Sequence, residues 1–113
     1  LNLDVNSMSQ VFLNIILNSI EAIEQAGSIT ISSSLEDAKS QIKISFLDTG
    51  KGIPHNTLTK IFDPFYTSNP AKTGLGLPMV LKTIDAHGGS VSVQSSVQKY
   101  TLFDITLPIS HPT

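Results

Sequence analysis

Cysteine is absent from this 113-residue chain, and so is arginine. Without cysteine there is no disulfide scaffold, no thiolate metal site and no cysteine nucleophile. Without arginine, no bidentate guanidinium clamp or arginine finger can come from the chain. Any anion site must therefore use backbone N–H groups, lysine or a metal. Charge is also scarce: charged residues make up 14%, and the net charge is −2. No basic run is present, which argues against nucleic acid as the main partner. No apolar run approaches the ~18 residues of a membrane span, and no signal peptide opens the sequence. The apolar fraction of 40% excludes a disordered composition. The expectation is one soluble domain from a reducing or indifferent compartment, with one core between two layers.

Ser7-Met8-Ser9-Gln10 reads as a capping box. Met8, Val11, Phe12, Ile15, Ile16, Ile20 and Ile23 then recur at helical spacing and predict a helix from about Asn6 to Gln25, stopped by Gly27. Gln10, Asn14, Asn18, Glu21 and Gln25 form its polar stripe. Period-two alternation predicts strands over Ser28–Ser34 and Gln41–Leu47, joined by a polar hairpin loop. Pro54 stands where a first helical turn would begin, with Leu58 and Ile61 behind it. Residues 62–76 read as a long irregular loop, of the kind that forms lids. A helix over about Leu77–Ala86 buries Val80, Leu81 and Ile84 and stops at Gly88-Gly89. Strands over Val91–Gln94 and Leu102–Leu107 finish the chain. Short connections between successive strands favour a mixed, mainly antiparallel sheet with helices on one face.

Four segments could carry chemistry. Asn14 and Asn18 lie four apart on one helix face. They are either a solvated stripe or amide oxygens suited to a hard cation such as Mg²⁺. Asp48-Thr49-Gly50-Lys51-Gly52 is either a tight turn or a carboxylate fixed on a strand end, with glycines admitting a flat ligand. Phe62-Asp63-Pro64-Phe65-Tyr66 either anchors a loop in the core or lines an apolar lid. Thr73-Gly74-Leu75-Gly76-Leu77 precedes a helix and could cradle phosphate. It matches neither the dinucleotide fingerprint nor the P-loop.

Together these segments resemble, in order, the N, G1, F and G2 boxes of sensor histidine kinases, and Ala86-His87-Gly88-Gly89 resembles the stretch that follows. The chain is similar to the catalytic and ATP-binding domain of a bacterial histidine kinase, within the GHKL ATPase superfamily. The Phe65-Tyr66-Thr67-Ser68 stretch looks most like the nitrogen-regulation subtype. The resemblance implies an α+β fold: a two-layer α/β sandwich of the Bergerat type, with its first strand truncated to Leu1–Leu3 and a lid over about 62–76. It implies Asn18 as Mg²⁺ ligand and Asn14 at the phosphate end. Asp48 would accept from the adenine amino group, with Gly50 and Gly52 beside the ring and Thr101 helping through a shared water. Phe62, Phe65, Lys72, Thr73, Gly74, Leu75, Gly76 and Leu77 would form the lid side of the ATP site. Lys72, Gln98 and Tyr100 stand where the family often has glycine.

The activity implied is transfer of the γ-phosphoryl of ATP to a histidine on a separate dimerisation domain, in a cytoplasmic two-component phosphorelay with a response regulator downstream. No nucleic acid and no direct membrane contact enter. His55, His87 and His111 lack the family's acceptor context, so the acceptor is expected elsewhere. The alternatives are a GHKL ATPase or anti-sigma-type serine kinase, and a non-catalytic nucleotide-binding module. The enzymes that activate water or a hydroxyl have a glutamate where this chain has Asn14, and an amide cannot accept that proton.

Overall fold

Asp4, not Ser7, caps the first helix. In the computed structural model, which describes residues 4–23, 26–36, 38, 40–63 and 76–108, its carboxylate accepts from Asn6 N–H at 3.0 Å and Ser7 N–H at 3.3 Å. The Ser7 backbone bond foremost holds the Asp4 carboxyl below its ordinary 3.8. A carboxylate satisfies two orphan amides and complements the positive end of the helix, so the cap lies three residues before the expected box. Helix α1 (Val5–Ala22) then ends at Ile23, ahead of the expected Gln25 and Gly27.

Along α1, Met8, Val11 and Ile15 are buried as their spacing requires. Ile20 is 53% exposed, and Ser19 is buried in its place. The stripe Val11, Ile15, Ser19, Ala22 advances by three or four residues and leaves Ile20 on the flank. Strands β1 (Ile29–Glu36) and β2 (Gln41–Asp48), short helix α2 (His55–Leu58), helix α3 (Gly76–Ala86) and strands β3 (Ser90–Ser96) and β4 (Tyr100–Pro108) follow. Pro54 serves as the N-cap of α2 and not as its first helical residue. In α3, Val80 and Ile84 are buried as expected, whereas Leu81 lies one step off the stripe and is 40% exposed.

The strands pair in the order β1-β2-β4-β3, and every pair is antiparallel. The sheet is wholly antiparallel among the described residues, in keeping with the mainly antiparallel α+β sandwich expected; no parallel pair is among them. The expected strand over Leu1–Leu3 lies outside them. Residues directly opposite one another share a face, so the register sorts the inner face into rows. Ser33, Ile44, Ile105 and Val91 form one row, and Ile31, Phe46, Phe103 and Val93 the next. Phe46, Phe103 and Ile105 meet Val11, Ile15, Val80 and Ile84 in the core. Phe12 tilts against Phe46 with ring centroids 5.6 Å apart. Burying each such side chain contributes roughly 1.5–3 kcal/mol. The row after the phenylalanines reads Ile29, Asp48, Thr101, Ser95. At that end of the sheet, the inner face turns polar.

Candidate nucleotide site

Asp48 is 1% exposed and Thr101 3% exposed. They sit opposite each other on the central strands β2 and β4. Asp48 Oδ1 accepts from Gly50 N–H at 2.9 Å, which turns the chain tightly at the strand end. The loop after Asp48 is then pinned on three sides. Thr49 N–H donates to Ser28 O at 3.1 Å, and Thr49 Oγ1 accepts from Ser28 N–H at 2.9 Å. Lys51 N–H donates to Ala22 O at 2.9 Å, satisfying a carbonyl in the last turn of α1. Gln98 N–H donates to Lys51 O at 2.6 Å.

The two glycines of this loop permit those approaches. A Cβ on Gly50 would lie 2.6 Å from Ala22 O. Gly52 adopts φ +73°, and a Cβ there would fall on the Ser96 carbonyl oxygen. Ser19 and Ala22, both small, let the end of α1 come this close. Asp48, Gly50, Gly52 and Thr101 are therefore brought together, as expected.

A second group lies on the other flank of α1. Asn14 is half-buried, and its Nδ2 is a buried donor without a partner. Its Oδ1 stands 3.7 Å from where a Cβ on Gly76, the first residue of α3, would be. An amide with unused capacity thus faces a helix N-terminus, where backbone N–H groups favour anions. Asn18, one turn further along α1, is also half-buried. Phe62 and Leu77 pack against the core, so Phe62 takes the anchoring alternative. Phe65, Lys72, Thr73, Gly74 and Leu75 lie outside the described residues, with most of the expected lid.

Ser95 was not singled out in the sequence. Its hydroxyl accepts from Ile53 N–H at 2.7 Å and contacts Tyr100 O at 2.8 Å and Thr101 Oγ1 at 2.9 Å. The signal for it existed: Val91, Val93 and Ser95 alternate onto the inner face, and the third is polar. His87 is held by its neighbours. Its Nδ1 faces Thr83 O at 2.8 Å, and its Nε2 accepts from Asp4 N–H at 3.2 Å. Those partners place the ring proton on Nδ1. His55 is exposed on α2, and His111 lies outside the described residues.

The two-layer sandwich thus sets a buried carboxylate at the sheet end and an amide beside the N-terminus of α3. The chain belongs to the histidine kinase-, DNA gyrase B- and HSP90-like ATPase family, whose model matches residues 3–111. Sporulation kinase C of Bacillus subtilis is 39% identical over 109 residues, which are 96% of this chain and 25% of that protein. Sensor histidine kinase ZraS of Escherichia coli K12 is 39% identical over 107 residues, 95% of this chain and 23% of that protein. The nucleotide-free catalytic domain of histidine kinase ThkA matches with a TM-score of 0.80 and 34% identity, over 94% of this chain and 68% of that one. Full-length ShkA in complex with AMPPNP matches with a TM-score of 0.84 and 27% identity, over 95% of this chain and 22% of that one. The chain spans about a quarter of the length of these curated relatives. Its family and these relatives make it an ATPase domain of the kind found in histidine kinases.

Proposed function

We propose that the chain supplies the ATP-binding half of a histidine autokinase, which passes the γ-phosphoryl group to a histidine on a separate dimerisation domain. The observation that carries this reading is Asn14 facing the N-terminus of α3 with an unsatisfied amide. An amide orients phosphate but takes no proton. It suits an imidazole nucleophile, which brings its own lone pair, and not water or a hydroxyl, which need a base.

In this reading Asp48 accepts from the adenine amino group, with Oδ1 already held by Gly50 and the other oxygen turned to the base. Gly52 leaves room for the ring, and Thr101 assists Asp48. Gly76 and Leu77 bring the first turn of α3 to the phosphates, Thr73, Gly74, Leu75, Lys72 and Phe65 would act from the lid side, and Phe62 would anchor the start of the lid in the core. In this reading Asn18 would give one amide oxygen to a Mg²⁺ ion that arrives on phosphate oxygens. Bound Mg²⁺ would neutralise charge on the phosphates. The protein's own share is positioning and electrostatics.

The wider assignments rest on narrower support. The nitrogen-regulation subtype rests on the Phe65–Ser68 resemblance. A response regulator downstream and a cytoplasmic setting follow from the kinase reading. No helix among the described residues is long and apolar enough to cross a membrane. The test is to mix the chain with γ-labelled ATP and the dimerisation domain of a close relative. Acid-labile label on that domain's histidine is expected. Label on serine, or none, would refute the reading.

A further inference from the structure

We infer that Ser95 sets the purine selectivity of this site by fixing the direction in which the Thr101 hydroxyl donates. The hydroxyl of Ser95 has three partners: Ile53 N–H at 2.7 Å, Tyr100 O at 2.8 Å and Thr101 Oγ1 at 2.9 Å. An amide N–H can only donate, and a carbonyl oxygen can only accept. The single hydrogen of Ser95 therefore goes to Tyr100. The contact with Thr101 is then supplied by the hydrogen of Thr101, which donates to Ser95. Thr101 Oγ1 is left with lone pairs alone.

Ser95, Thr101 and Asp48 are neighbours in one row of the inner face, on β3, β4 and β2. Thr101 is the middle one and is almost wholly buried. Beside the Asp48 carboxylate it adds a second acceptor, and both are held in place by the ladder. Such a pair accepts an amino edge, directly or through water, and opposes a carbonyl edge. A buried acceptor that faces another acceptor is left unpaired, so the rejection is strong. Without the Ser95 hydroxyl, the hydrogen of Thr101 is released and can turn toward a carbonyl. Ser95 acts through Thr101 and is a positioning residue. The inference rests on the proposed reading of Asp48 as the base contact.

The test compares dissociation constants for ATP and inosine triphosphate, which carries a carbonyl where ATP has the amino group, by calorimetry with Mg²⁺. Wild type is expected to prefer ATP, and Ser95→Ala to narrow the ratio by about tenfold. Ser95→Thr keeps a hydroxyl and should keep the ratio. In a Thr101→Val background, Ser95→Ala should change the ratio no further. Should Ser95→Ala not fold, Ser95→Cys serves in its place, because a thiol keeps the volume but bonds poorly. Equal wild-type affinities would overturn the Asp48 reading itself. A wild-type preference that survives the Ala or Cys variant in full, even with both affinities weakened together, would overturn the role of Ser95 alone.

Discussion

At position 18, one amide oxygen is proposed to complete the shell of a cation otherwise held by phosphate and water. Asn18 is half-buried on the flank of α1 and outside the core cluster, so its truncation should spare the fold. Asn18→Ala is expected to weaken Mg²⁺-dependent ATP binding by about 1.5–3 kcal/mol, the worth of a hydrogen-bond-like contact to a charged group. Titration with and without Mg²⁺ checks this, and an unchanged Mg²⁺ dependence would refute the assignment. Asp48 and the two asparagines stood out in the sequence by their strand-end and mid-helix positions, whereas Thr101 was named only through the family resemblance. Ser95 did not stand out, because serine is common in these strands: Ser32, Ser34, Ser45 and Ser92 all lie on the outer face. Alternation after Val91 and Val93 sets Ser95 on the inner face, and the register then shows that it stands beside Thr101.

Among the elements, the β3–β4 turn carries a local cost. Gln98 adopts φ 63° while its N–H donates to Lys51 O. A side chain in the left-handed region costs about 1–2 kcal/mol. Glycine avoids this but loses more freedom on folding, about 0.5–1 kcal/mol. Gln98→Gly is therefore expected to stabilise the chain by about 0.5–1 kcal/mol, read as a higher urea midpoint at unchanged slope. A lower midpoint would show that the glutamine side chain contributes contacts of its own. The absence of glycine at 98 was visible in the sequence; that the backbone is left-handed there was not. The start of α1 teaches the same lesson. Asp4 and Ser7 are both good caps by type, and the structure seats Asp4 at the cap, where its own N–H is held by His87 Nε2 from far along the chain. Ile20 was assigned by its helical spacing and Leu81 as part of the buried side of its helix, and the pitch of each helix places them on its flank.

Taken whole, the molecule has two layers, with the residues proposed to face the nucleotide at one end of the sheet and on one flank of α1. In the proposed reading the site holds orienting groups, and Asn14 stands where a base would be needed to activate water. The chain alone is expected to bind ATP and to hydrolyse it more slowly than base-equipped relatives, by the 10²–10⁴-fold that a positioned base supplies, on the order of magnitude known for general catalysis. Single-turnover phosphate release measures this. A brisk rate would favour the water-activating alternative.

The sequence alone determined the helices, the strands and the candidate segments, because periodicity, caps and glycine positions act locally. It determined the family as well, because the four boxes recur in order along nearly the whole chain. Register and docking were decided by tertiary structure. The sheet came out wholly antiparallel in the described residues because each strand pairs where its apolar row meets its neighbour's. Ser19 is buried and Ala22 half-buried where the loop after Asp48 reaches the end of α1 and Lys51 N–H meets the Ala22 carbonyl. Those contacts join residues far apart in the chain, and no local pattern encodes them.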